Sequence, residues 1–341
     1  MNDQLTEVYA SIDALIDYAL AHLDLDPRNA DWTRNQIFAL FRLDSYPGPK
    51  TTTSAASVSD VVQDIVGSRS QAPYGEKTPD PLLAAFRAAA TTAGLFKPEE
   101  GPAYADTIMG ILSANPADLD DRFLLVEHRD GGMAAMQWFY DYCVANNYVK
   151  RAQLDRNPRF DSHGLTVTIN LAKPEFKNMK KAAAGNAVAG GYPKCTICHE
   201  NEGFAGRDKR TLRTLPVTLG GESWFWQFSP YGYFDQHGIC VNTDHTPMHV
   251  DRDTFGHLLD FVDRFPGYFL GCNAALPRIG GSVLAHDHYQ GGGELLPMHK
   301  AATWAAFTLA DYPDAVVEIL DWPGTAVRVV SKNRQSIIDV S

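Results

Sequence analysis

Gly164-Leu165-Thr166-Val167-Thr168-Ile169-Asn170-Leu171 alternates apolar and polar side chains, the period of a strand with one face buried. Upstream of it, from about residue 5 to residue 150, the period is helical. Val8, Ile12, Leu15, Ile16, Ala19, Leu20 and Leu23 recur at helical spacing, and Met133 to Cys143 repeats that character after the breaker Gly131-Gly132. Asp80 followed by Pro81 reads as an N-cap and first helical position, with Gly94 as the residue that ends the segment. The polar run Thr51 to Ser57 reads as a loop. The period changes after Arg156-Asn157-Pro158-Arg159, so a mainly helical region over 1–155 is expected to give way to a sheet domain over 156–341.

Further strands are expected at Ser223–Phe228, Gly238–Asn242, Tyr268–Asn273, Val316–Leu320 and Ala326–Val330, the last two joined through Trp322-Pro323-Gly324. One helix, Arg252–Phe265, interrupts them and places Phe255, Leu258, Leu259, Val262 and Phe265 on one face. Strands, then one helix, then strands describe an α+β unit built on an antiparallel sheet. No internal repeat is visible.

The chain has 341 residues, 45% of them hydrophobic, with a formal net charge of −11. That length suits about two domains with sizeable cores, and the acidic field argues against nucleic acid or an anionic membrane surface as partners. A small phosphorylated substrate remains compatible with local donors. No stretch reads as a membrane span or an export signal, so a cytoplasmic setting is expected. The five cysteines (Cys143, Cys195, Cys198, Cys240, Cys272) are an odd number in such a chain, which argues against a disulfide framework. Cys143 and Cys272 read as buried small hydrophobes.

Two clusters carry chemistry. In Gly280-Gly281-Ser282-Val283-Leu284-Ala285-His286-Asp287-His288-Tyr289-Gln290-Gly291-Gly292, an extended backbone sends His286, His288 and Gln290 to one side, with Asp287 and Tyr289 pointing away. The glycines would let the backbone approach a bulky anion, and Gly280, Gly281 and Ser282 suit a phosphate nest, with a tight turn as the competing reading. The histidine strand is expected at the edge or mouth of the sheet. Cys195-Thr196-Ile197-Cys198 has the spacing of a knuckle holding half of a tetrahedral zinc site. The competing reading is a pair of reduced structural thiols.

These stretches resemble the galactose-1-phosphate uridylyltransferases, distant relatives of the histidine-triad nucleotide-binding proteins, in the class II branch. The similarity extends in order over Gly164 to Glu175, Gly191 to Arg207, Trp226 to Tyr231 and Phe265 to Gln290. It implies a histidine-triad-like sheet domain and transfer of a uridylyl group from UDP-glucose to galactose 1-phosphate through a uridylyl-histidine. The resemblance makes His288 the nucleophile, Gln290 a phosphate donor, and His245 and His286 the ligands that complete a structural zinc site with Cys195 and Cys198. His199 stands as a replacement ligand. Asn273 is a phosphate contact by family position. Phe228 and Tyr231 are candidates for the uracil ring, and Arg207 and Lys173 for phosphate charge. A homodimer is implied, because neighbouring subunits share active sites in the wider family.

Class II members continue into a second half that contributes to the sugar-phosphate site, whereas this chain stops at Ser341, soon after Ser331 to Gln335. The second half is therefore expected to be missing, through shortening or loss. Two other readings accompany transfer: a histidine-triad-type nucleotide hydrolase, in which water discharges His288, and an inactive nucleotide-binding remnant.

Overall fold

The helical period near the N-terminus becomes α1 (Asp3–His22), where Val8, Ile12, Leu15, Ile16 and Ala19 are each at most 1% exposed. The computed structural model describes residues 3–48, 78–171, 191–276 and 283–341. It divides into two units, one made of Met1–Arg156 with Glu200–Arg213, the other of Asn157–His199 with Thr214–Ser341.

In the first unit α1 is followed by α2 (Ala30–Phe41), α3 (Asp80–Thr92), α4 (Gly101–Leu112), α5 (Pro116–Asp130), α6 (Gly132–Ala145) and the single turn α7 (Arg151–Leu154). Asp80 is the first residue inside α3 and Pro79 its cap, one position earlier than expected. Helix ends commonly shift by this much, since a proline fits either of the first two helical positions. At the other end Gly94 has φ +72°, its N–H reaching the Thr91 carbonyl while the Leu95 N–H reaches that of Ala90. This closure requires the left-handed region, which glycine enters without strain. The segment Glu200–Arg213 is tied to the helices by Asn146 Nδ2 donating to the Thr211 carbonyl at 2.8 Å and by Arg213 Nε donating to that of Ala114 at 2.7 Å.

The second unit opens with a two-stranded antiparallel ribbon, β1 (Arg159–Ser162) and β2 (Leu165–Thr168). The alternation predicted a half-buried strand, and here the structure differs. Leu165, Val167, Ile169 and Leu171 are 36–67% exposed, because among the described residues β2 pairs with β1 alone and ends at Thr168. Period two fixes which residues share a face; a second layer is needed to bury it.

The main sheet has five strands in the order β3-β4-β5-β7-β6, all neighbours antiparallel: β3 (Leu215–Leu219), β4 (Glu222–Phe228), β5 (Gly238–Asn242), β6 (Phe269–Cys272) and β7 (His288–Gly292). The histidine strand β7 is thus an inner strand, not an edge. Strand β3 was not anticipated; it joins β4 through Gly220-Gly221, both at positive φ, the backbone of a tight two-residue hairpin. Helix α8 (Arg252–Arg264) starts on a reciprocal cap, the Asp251 side chain accepting from the Thr254 N–H and the Thr254 hydroxyl accepting from the Asp251 N–H. Its buried stripe is Thr254, His257, Phe261 and, just past its end, Phe265. Phe255, Leu259 and Val262 are only half-buried, so the sheet-facing stripe is rotated from the one expected. The cause is aromatic: Phe261 lies 5.0 Å from Trp226, and His257 Nδ1 lies 3.0 Å from the Tyr289 hydroxyl, whose ring stacks on Trp224 at 4.7 Å.

A three-stranded sheet, β8 (Thr303–Leu309), β9 (Tyr312–Leu320) and β10 (Val327–Ser331), follows in the order β10-β9-β8 with α9 (Arg334–Val340) against it. The β9–β10 pair was legible in sequence; β8 and α9 were not. An α+β architecture of helices followed by antiparallel sheets is what the chain adopts. Among the described residues no helix is long and apolar enough to cross a membrane.

Candidate functional site

One face of the main sheet is filled by Trp224, Trp226 and Tyr289 under α8. Alternation along β7 sends His288 and Gln290 to the other face, as expected, whereas His286 lies in the turn before the strand and not on it. There the loop before His199 covers the sheet, with Gln227 Nε2 donating to the Ile197 carbonyl at 3.3 Å.

This loop brings Cys195 and Cys198 to the histidines. The two sulfurs are 3.3 Å apart, Cys195 Sγ is 3.3 Å from His286 Nδ1, and Cys198 Sγ is 3.2 Å from His245 Nδ1 and 3.7 Å from His286 Nδ1. The four donor atoms lie within 4.8 Å of one another, and all but His245 are fully buried. A tetrahedral zinc with bonds of about 2.0–2.3 Å sets its donors roughly 3.3–3.8 Å apart, so spacing and chemistry both fit such an ion. His245 reaches the cluster because the backbone beyond β5 stays paired with the approach to β7. The Asp287 N–H donates to the Thr246 carbonyl at 2.7 Å and the Met248 N–H to that of Leu284 at 2.9 Å. His286 Nε2 donates to the Asn242 carbonyl at 2.8 Å, which turns the Nδ1 lone pair to the thiols, the usual outer support of a metal-binding histidine. His199 stands apart from this set, its ring edge-on to Phe225 at 5.1 Å.

His288 follows two residues later. It is 3% exposed, and its Nδ1 donates to the His286 carbonyl at 2.8 Å. That bond selects the tautomer whose Nε2 carries the lone pair. Burial holds the ring below its ordinary pKa, with the bond to the carbonyl opposing, so the ring is neutral at pH 7. Asp287 points away from this face as predicted, its carboxylate 3.6 Å from His249 Nδ1. Burial pushes the carboxyl up to about 6, against the pull of His249.

Gln290 is half-buried, and its Oε1 lies 3.3 Å from His237 Nε2. His237 was not identified from the sequence. A lone histidine before a strand carries no periodic signal, and only the β5–β7 pairing places it beside Gln290.

The glycines after Gln290 have a packing role. A Cβ at Gly291 would stand 2.2 Å from the Phe269 carbonyl oxygen, and one at Gly292 would stand 2.5 Å from the Phe234 ring. They let a neighbouring strand and loop approach the β7 backbone closely. Phe228 is also corrected. It is 1% exposed and packs edge-on against Trp226 at 5.6 Å, a core position with no face for a base. Tyr231 and Asn273 are half-buried, just after β4 and β6. Arg207 lies in a 3-10 turn, Ala205–Arg207, of the first unit. Lys173, Gly280, Gly281 and Ser282 lie outside the described residues, as does the run Thr51 to Ser57.

The chain resembles known proteins over nearly its whole length. A family model, the galactose-1-phosphate uridyl transferase N-terminal domain, matches residues 67–247. A galactose-1-phosphate uridylyltransferase of Caldanaerobacter subterraneus is 36% identical over 77% of this chain and 53% of its own. One from Halalkalibacterium halodurans is 32% identical over 98% of this chain and 64% of its own, and one from Butyrivibrio fibrisolvens 33% identical over 97% and 82%. The chain thus spans between about half and four fifths of the length of these relatives. No solved structure matches it.

Proposed function

The chain belongs to the galactose-1-phosphate uridylyltransferase family, and on that premise we propose that its second unit transfers a uridylyl group from UDP-glucose to galactose 1-phosphate. The observation that carries this reading is His288, a buried neutral imidazole with one nitrogen fixed on the His286 carbonyl and the other carrying a lone pair.

In the first step His288 Nε2 attacks the α-phosphorus in line. A P–N bond forms as the bond to the bridging oxygen breaks, and glucose 1-phosphate leaves with that electron pair. A phosphate oxygen of galactose 1-phosphate then attacks the same phosphorus. The P–N bond breaks, the imidazole recovers its lone pair, and UDP-galactose departs. Gln290, on the same strand face, donates its amide N–H to a nonbridging oxygen as charge redistributes. Tyr231 and Asn273 are further nucleotide contacts of this reading, with Arg207, Lys173 and Gly280–Ser282 proposed from sequence alone.

Cys195, Cys198, His245 and His286 would hold a zinc ion. With four protein ligands the ion contributes folding energy and an anchor, and leaves no open position for substrate. His286 thereby serves twice, its ring in the cluster and its carbonyl on His288. A cytoplasmic setting suits the reduced thiols, and a homodimer is the assembly that the family resemblance implies.

The test is intact-mass measurement after mixing the protein with UDP-glucose. An acid-labile uridylyl adduct should appear in the parent chain and be absent in His288→Asn, with circular dichroism unchanged. Discharge by galactose 1-phosphate, and not by water, separates transfer from hydrolysis. Substantial turnover by His288→Asn would end the proposed mechanism.

A further inference from the structure

Gln290 has two chemically opposite ends, an oxygen that accepts and a nitrogen that donates. Only the nitrogen can stabilise a phosphate oxygen, so a Gln290 that rotates its amide by 180° presents the wrong end half the time. Resting on the reading of Gln290 as a phosphate donor, we propose that His237 is a positioning residue: its Nε2–H holds Gln290 Oε1 and thereby turns the amide nitrogen toward the substrate.

Three observations support this assignment. His237 Nε2 and Gln290 Oε1 are 3.3 Å apart, and in the tautomer protonated on Nε2 the ring nitrogen donates to that oxygen. The Gln290 amide nitrogen has no hydrogen-bond partner among the described residues, which leaves both of its hydrogens for a ligand. Finally, His237 is held by a frame that does not depend on Gln290. It is 6% exposed, its ring sits 4.5 Å from Phe234 and 5.6 Å from Tyr233, and its own carbonyl accepts from the Ser229 N–H at 2.8 Å. The preceding residues are tied down too: the Gly293 N–H donates to the Asp235 carbonyl at 3.1 Å, and the Tyr268 hydroxyl donates to Gln236 Oε1. A donor fixed in this way biases the amide toward one orientation before substrate arrives, so the alignment is not purchased at the transition state.

His237 touches no reacting atom, so its effect must run through Gln290. The test is a double-mutant cycle on the single-turnover rate of uridylylation by UDP-glucose, read by intact mass, with UDP-glucose affinity measured alongside. His237→Phe keeps a ring between Phe234 and Tyr233 and removes the donor. It should slow labelling on the order of tenfold, the worth of one hydrogen bond, and leave affinity within about twofold. In a Gln290→Ala background the same substitution should change the rate by less than about twofold. His237→Gln, which keeps a neutral N–H donor, should recover most of the rate and covers the case in which phenylalanine disturbs folding. An unchanged rate in His237→Phe, or an equal loss with and without Gln290, overturns the assignment. Absence of labelling in the parent chain would instead overturn the uridylyl-histidine reading. The Gln290 side-chain amide signals in a 15N spectrum then judge the contact alone: a shift in His237→Phe upholds it, and unchanged signals overturn it.

Discussion

The carbonyl of His286 lies 2.8 Å from His288 Nδ1 while the imidazole of His286 stands 3.3 Å from the Cys195 sulfur. One residue therefore couples the thiol cluster to the ring proposed as nucleophile. Anything that frees the His286 side chain also loosens the peptide that orients His288.

Cys195→Ser tests this coupling. The parent protein should hold about one zinc per chain by elemental analysis, and the variant less, with a lower melting temperature, because the binding energy of such a site is folding energy. His288 labelling should slow by roughly 10–100-fold, the usual cost of disturbing a supporting contact, although Cys195 is not placed on the substrate. A metal-free parent with full activity would return the cysteines to buried thiols.

Gln290→Ala should lower the single-turnover rate by about 10-fold or more while changing UDP-glucose affinity little, since its donor acts where charge develops. Equal losses in rate and affinity would make it a ground-state contact.

Gly291→Ala places a methyl 2.2 Å from the backbone oxygen of Phe269, an atom that cannot rotate away. Unfolding in urea should show a loss of about 1–3 kcal/mol. Gly271→Ala is the control: its nearest neighbour would be the Gln290 carbonyl oxygen at 3.8 Å, and stability should stay within about 0.5 kcal/mol.

In the helical unit, burial and the neighbouring Glu202 and Asp121 charges push the Asp120 carboxyl up to about 6. The folded state thus binds this proton more tightly than the unfolded chain. The associated stability is complete below about pH 4 and is lost as pH rises toward 6. Asp120→Asn should raise the melting temperature at pH 7, leave it unchanged near pH 4, and flatten the profile between them. A variant that tracks the parent at both pH values would show that Asp120 titrates normally.

Read from sequence alone, the helical period of α1, the switch to period two near Leu165, the Cys-x-x-Cys knuckle and the shared face of His288 and Gln290 were all legible. Each rests on spacing along one segment, which backbone geometry converts directly into a face or a turn. What the segments pack against was decided in three dimensions. Leu165 and Val167 share a face but stay exposed because, among the described residues, β2 pairs only with β1, and Phe228 is core because α8 lies over its side of the sheet. Family resemblance, not spacing, pointed to His245 and His286, and hydrogen bonds from Asp287 and Met248 across to Thr246 and Leu284 bring them to the thiols. His237 had no signal at all, since its meaning arises from the β5–β7 register that sets it beside Gln290. Local period depends on covalent geometry, whereas burial and side-chain partnership depend on contacts between residues far apart in the chain, and those exist only once the sheet has formed.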